Sequence, residues 1–150
     1  MSLNTQLDDD FKQAFKGKDA EKLSILRLVR SSIKNLEIKT QGEASEEDVV
    51  EILQREIKQH KESIEAFEKA DRPDEVKRLK QESDLLQAYL PDQLSSDEIK
   101  DVVEKAIQET DASNMADMGK VMGSVMGKVK GRAGGDEVGN MVRDLLQGKE

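Results

Sequence analysis

Apolar residues along this chain of 150 recur at steps of three and four, and no stretch alternates apolar and polar positions one by one. That period belongs to amphipathic helices rather than to half-buried strands, so the expectation is an all-α protein. The first helix is expected from a Ser2 cap to about Lys16. Leu3, Leu7, Phe11, Ala14 and Phe15 lie on one side of it and Gly17 ends it. The second runs from about Asp19 to Lys39. Its stripe is Leu23, Leu26, Val29, Ile33 and Leu36; Ile25, Leu28 and Ile38 widen it, as in a helix buried between several partners. After a turn at 40–44, Ser45-Glu46-Glu47-Asp48 resembles a capping box. It opens a third helix to about Ala70, with Val50, Leu53, Ile57, His60, Ile64 and Phe67 as an a/d stripe. Pro73 takes the first position of a fourth helix. Its stripe of Val76, Leu79, Leu85, Leu86 and Tyr89 breaks at Glu82-Ser83, which predicts shallower burial.

Pro91 is the expected boundary, because the residue before a proline is pushed out of helical geometry. Ser95 and Glu98 have the spacing of a second capping box. The fifth helix then runs to about Thr110, with Ile99, Val102, Val103, Ala106 and Ile107 inward. Ser113 or Asn114 caps a sixth, which ends near Lys130 with Gly131 as a left-handed stop. Asp136 caps a seventh, carrying Val138, Met141, Val142, Leu145 and Leu146 and ended by Gly148. Eight of the ten glycines lie at or beyond position 119. The division expected is therefore an N-terminal four-helix domain over 1–90 and a C-terminal three-helix domain over 91–150.

Composition removes several classes of function. With no cysteine there is no disulfide scaffold, no cysteine-ligated zinc and no thiol catalysis. The polar, early-acidic start does not look like a signal or transit peptide, and the reading is of a cytoplasmic protein with no membrane partner. No phosphate loop, nucleophile elbow or paired-histidine zinc motif occurs, so no catalytic residue, cofactor or metal is assigned. His60, the only histidine, sits on an apolar stripe and is read as packed and hydrogen-bonded.

Charge carries the functional signal. The chain has net charge −8, yet residues 118–135 hold four basic residues (Lys120, Lys128, Lys130 and Arg132) and no acidic one. Gly119, Gly123, Gly127 and Gly131 recur there every four residues. Each helical glycine costs roughly 1 kcal/mol relative to alanine, so bare backbone must serve a purpose. Either a neighbouring helix packs very close or a ligand such as a sugar–phosphate chain touches the backbone. Met118, Met122, Met126 and Met141 are read as adaptable core filling. The four cations could simply complement the helix C-terminal dipole. They could also contact phosphates, giving salt-sensitive binding that recognises RNA shape more than sequence. Arg27, Arg30, Lys34 and Lys39 form a second basic set, read as a solvated face.

Tyr89-Leu90-Pro91-Asp92-Gln93-Leu94-Ser95, Asp117-Met118-Gly119-Lys120-Val121-Met122-Gly123 and Lys128-Val129-Lys130-Gly131-Arg132-Ala133 together resemble the GatB/YqeY-domain family. Leu26-Arg27, Ile33-Lys34-Asn35 and Glu56-Ile57-Lys58-Gln59 fit its stand-alone YqeY-like members. The resemblance implies two helical domains, the second similar to the tail of the B subunit of glutamyl/aspartyl-tRNA amidotransferase, which is associated with holding tRNA. It further implies a tRNA- or structured-RNA-binding accessory protein whose partners include amidotransferase or translation-related proteins. Carbon–nitrogen ligase activity with glutamine as amido donor is then expected only with other subunits, since nothing here matches the chemical modules of that enzyme. The other reading is a helical protein–protein interaction module without nucleic-acid binding. Gly127 stands where the family commonly has proline, and Gly134 where it has aspartate. The first change softens the helix end and the second makes the loop more basic.

Overall fold

The computed structural model describes residues 2–129 and 131–148. Among them there are seven α-helices, one 3-10 turn and no strand. Contacts divide the chain into two compact units, Met1–Leu90 and Pro91–Glu150.

The first unit holds α1 (Leu3–Lys16), α2 (Ala20–Thr40), α3 (Glu46–Lys69) and α4 (Pro73–Gln87). Short polar residues start the first three. Ser2 accepts from the Thr5 N–H, Asp19 from that of Lys22, and Ser45 with Asp48 closes a reciprocal capping box. Pro73 occupies the first turn of α4. Gly17 ends α1 as expected. It keeps right-handed geometry, and the left-handed residue after α1 is Lys18 (φ 54°). Gln41, in the expected turn, is the left-handed residue closing α2 (φ 58°).

Leu7, Leu26, Val29, Val49, Leu53 and Leu86 form the fully buried centre of this unit. The apolar faces are narrower than the periodicity suggests. Phe15, Leu28 and Ile38 are exposed, so α2 buries only the side bearing Ile25, Leu26, Val29 and Ile33. In α3 the buried set is Val49, Ile52, Leu53, Glu56 and His60, while Val50, Ile64 and Phe67 are only partly buried. The break in the α4 stripe marks depth rather than shallowness: Glu82 and Ser83 are both buried. The reason lies in α3. His60 Nε2 stands 2.8 Å from Glu82 Oε2, and His60 Nδ1 donates to the Glu56 carbonyl at 2.9 Å. A carbonyl only accepts, so Nδ1 carries the hydrogen of that bond, and Nε2 is left to meet the Glu82 carboxyl. Arg78 reaches the other Glu82 oxygen at 3.1 Å and Glu75 at 2.7 Å. Polar groups that bond one another tolerate burial that a lone, unpaired group would not. The packed, hydrogen-bonded histidine is thus observed, with a partner 22 residues away.

The second unit holds α5 (Ser96–Glu109), the 3-10 turn Met115–Asp117, α6 (Met118–Lys128) and α7 (Gly135–Gln147). Ser95 and Glu98 form the capping box of α5. Asn114 caps the 3-10 turn, accepting from the Ala116 N–H, so α6 itself begins four residues later than its expected cap. Gly134, not Asp136, is the cap residue of α7, and it offers no side chain to the free N–H groups. Ile99, Val103, Val121, Val125, Val138, Val142 and Leu146 are fully buried together, with Met118, Met122, Met126 and Met141 packed partly buried against them as core filling.

Candidate functional site

The acid-free segment 118–135 begins at α6. Three of its eleven residues are Gly119, Gly123 and Gly127, an intrinsic cost of roughly 3 kcal/mol relative to alanine. Fully buried Val121 and Val125 offset that cost, since burying one such side chain contributes about 1.5–3 kcal/mol. The helix thus forms because one face is driven into the core.

The opposite face faces outward. Gly119, Lys120, Gly123 and Gly127 lie on it and are exposed; Lys128 is exposed at the last position of the helix, on the side that meets α5. Among the described residues of its unit, a Cβ built on Gly119, Gly123 or Gly127 would meet nothing within 4 Å. The expectation that these glycines let a neighbouring helix pack close is therefore not met within this unit; their bare backbone looks outward. Gly139 on α7 does face a helix, and even there a Cβ would sit 3.9 Å from Met122 Cε, an ordinary contact.

Lys120 is exposed and lies beside Asp117. The Asp117 carboxyl is held below the usual carboxylate range, first by the Ser113 N–H at 3.0 Å and further by the Lys120 charge. Lys128 Nζ pairs with Glu109 Oε2 on α5 at 2.7 Å, which lowers the Glu109 pKa through the hydrogen bond and the charge together. Both groups are exposed, and water and salt screen such surface pairs, so Lys128 can exchange this partner for a stronger anion. Lys130 lies outside the described residues.

Beyond α6 the chain turns through Gly131, whose φ of 72° is a left-handed geometry that favours glycine. Arg132 follows, exposed, and a strap from the start of the unit holds its loop. The Leu94 N–H donates to the Arg132 carbonyl at 2.8 Å. Gln93 Nε2 donates to the Gly131 carbonyl at 2.7 Å and to the Pro91 carbonyl at 2.8 Å. Arg132 Nε donates in return to the Asp92 carbonyl at 3.1 Å. That acceptor is neutral, so the contact aims the guanidinium without cancelling its charge. Two motifs that are separate in sequence, Pro91-Asp92-Gln93-Leu94 and Gly131-Arg132, are thus one device. Nothing in the spacing announces it, because its bonds span 38 to 40 residues.

The structure thus puts Lys120, Lys128 and the exposed glycines on one helix and Arg132 on a braced loop at its end. Among the described residues no three histidine, aspartate or glutamate side chains are grouped to hold a metal ion. No helix among them is long and apolar enough to cross a membrane.

A family model for YqeY-like proteins matches residues 4–146, and the chain belongs to that family. A comparison with curated proteins finds no match.

Proposed function

We propose that this YqeY-like chain is a tRNA- or structured-RNA-binding accessory protein, with its phosphate contacts at Lys120, Lys128, Lys130 and Arg132. The observation that carries the reading is the outward face of α6. A helix that forgoes three β-carbons with nothing of its own pressing on them is suited to a partner that touches backbone. Cations flank that bare surface, and Arg132 extends from a loop fixed by main-chain hydrogen bonds. A sugar–phosphate backbone matches both features. Four aromatic residues in 150 leave little for base stacking, which favours folded RNA over a single strand. The resemblance to the amidotransferase B-subunit tail points the same way. On this reading any glutamine-dependent amidation takes place in a complex with other subunits.

The test is affinity for bulk tRNA between 50 and 200 mM salt for the wild type and for Lys120→Ala/Arg132→Ala. Losing two phosphate contacts lowers the slope of log affinity against log salt by about 2. An unchanged slope and affinity would remove these residues from the site. A helical protein-interaction module is the second reading, favoured by the same small-residue face, which could seat a partner helix. A stoichiometric protein partner co-purifying without nucleic acid would select it. The two units are proposed to behave as a four-helix domain over 1–90 and a three-helix domain over 91–150. Limited proteolysis of the full chain should then cut first near Pro91.

A further inference from the structure

A second cationic face lies in the first unit, on α2. Residues 22–36 carry Lys22, Arg27, Arg30 and Lys34 and no acidic residue. This segment and 118–135 together hold eight of the 24 cations and none of the 32 acids, so the remainder of the chain carries net charge −16. Basic residues scattered for solubility would be mixed with acids, as they are on α3 and α4.

The helix fixes where these residues point. Ile25, Leu26, Val29 and Ile33 are buried, which turns Ser24, Arg27, Ser31, Lys34 and Asn35 outward, all exposed. Arg27 and Lys34 are two turns apart, roughly 10 Å along the axis. Neither forms an ion pair among the described residues. Arg30, at the edge of the face, is bound to Asp8 at 2.9 Å and lies 4.1 Å from the centre of the Phe11 ring, with Arg27 5.9 Å from the same ring. That aromatic floor restrains both guanidinium groups, and the Asp8 carboxylate offsets the charge of Arg30 alone.

We infer that the exposed face of α2, centred on Arg27 and Lys34, is a second binding surface for the sugar–phosphate backbone of a structured RNA. The inference rests on the RNA reading of the second unit and adds a site in the first. Charge complementarity selects the partner, since the face is cationic on an anionic molecule. Between the two cations stand Ser31 and, alongside, Ser24 and Asn35, short donors that let a phosphate or ribose hydroxyl approach. A protein-docking face would instead place apolar residues at the centre. The exposed apolar residues here, Leu28 and Ile38, are ten positions and roughly 15 Å apart, with polar residues between them, so they form no continuous patch.

The test uses the full chain and bulk tRNA. Affinities over 50–200 mM salt are compared for wild type, Arg27→Glu/Lys34→Glu, the C-terminal variant Lys120→Ala/Arg132→Ala, and Lys61→Glu as a control at an exposed position of α3. The expected result is at least tenfold weaker binding for Arg27→Glu/Lys34→Glu. Its salt slope should fall by about 2 and Lys61→Glu should change little. A neutral Arg27→Gln/Lys34→Gln variant should show the same slope change with a smaller loss of affinity. If the α2 variants bind as wild type while the C-terminal variant does not, the α2 site is overturned and the C-terminal one stands. Equal losses for Arg27→Glu/Lys34→Glu and Lys61→Glu would reduce the effect to bulk charge and also overturn it. RNA binding that survives while a co-purifying acidic protein is lost would assign the face to a protein instead. No binding by wild type at 50 mM salt would overturn both sites.

Discussion

The two units break the ordinary rules of helix sequence in opposite places. The first does so inside: Glu56, His60, Glu82 and Ser83 are buried on facing sides of α3 and α4. The second does so outside: its buried cluster is apolar throughout, while its sixth helix carries glycines on the solvent side. An inner violation is explained once its partners are found, as the imidazole–carboxyl contact explains both His60 and the gap in the α4 stripe. An outer violation has no partner within the described residues of its unit. It therefore points to something beyond the chain, and this is why the site is sought on α6 rather than around the histidine.

The largest expected effect breaks the inner half of that comparison. Glu82→Ala strands a buried imidazole and should cost about 3 kcal/mol in urea unfolding, whereas His60→Leu/Glu82→Leu should recover most of the loss. If the double replacement is as damaging as the single one, the pair does more than satisfy itself. A sign difference sharpens the outer half. Replacing Gly119, Gly123 and Gly127 with alanine should stabilise the protein by about 2–3 kcal/mol, because the positions are helical and open. The same change at Gly131 should destabilise it by about 1–2 kcal/mol, because φ there is 72°. The triple variant should nonetheless bind tRNA less well. Gained stability with undiminished binding would leave the glycines without the proposed role.

The smallest effects separate the units by pH. In the first, burial and the Asp10 carboxylate raise the Tyr89 pKa above its ordinary value. The native state then holds the phenol proton longer than the unfolded chain. That contribution is complete below the ordinary phenol range and is lost as pH climbs through it towards the raised value. In the second, Glu109 and Asp117 are lowered, so their contribution is present above the ordinary carboxylate range and is lost as pH falls through their folded values. Amide exchange followed residue by residue should show the first unit loosening first in alkali. Tyr89→Phe should flatten that alkaline limb and leave the acid limb unchanged.

Much of this was legible in the one-dimensional pattern. The helical class, both capping boxes, the proline start of α4 and the left-handed Gly131 follow from local rules, because each depends on residues within about four positions. The width of each buried face did not follow. Leu28, Ile38 and Phe15 have the same period as their buried neighbours, and they are exposed because no described element of their unit covers them. The cations of the candidate site could be named from their acid-free run, but not the strap at Asp92, Gln93 and Leu94 that braces Arg132.

The sequence by itself determined that the chain is helical, where most helices begin and stop, and where acids are excluded, because periodicity, caps and charge are local properties. Tertiary structure alone decided that His60 meets Glu82, that Arg132 is held by Asp92, and that the glycines of α6 face outward. Each of those facts depends on which element lies across from which, and the chemistry of a single segment does not contain that information.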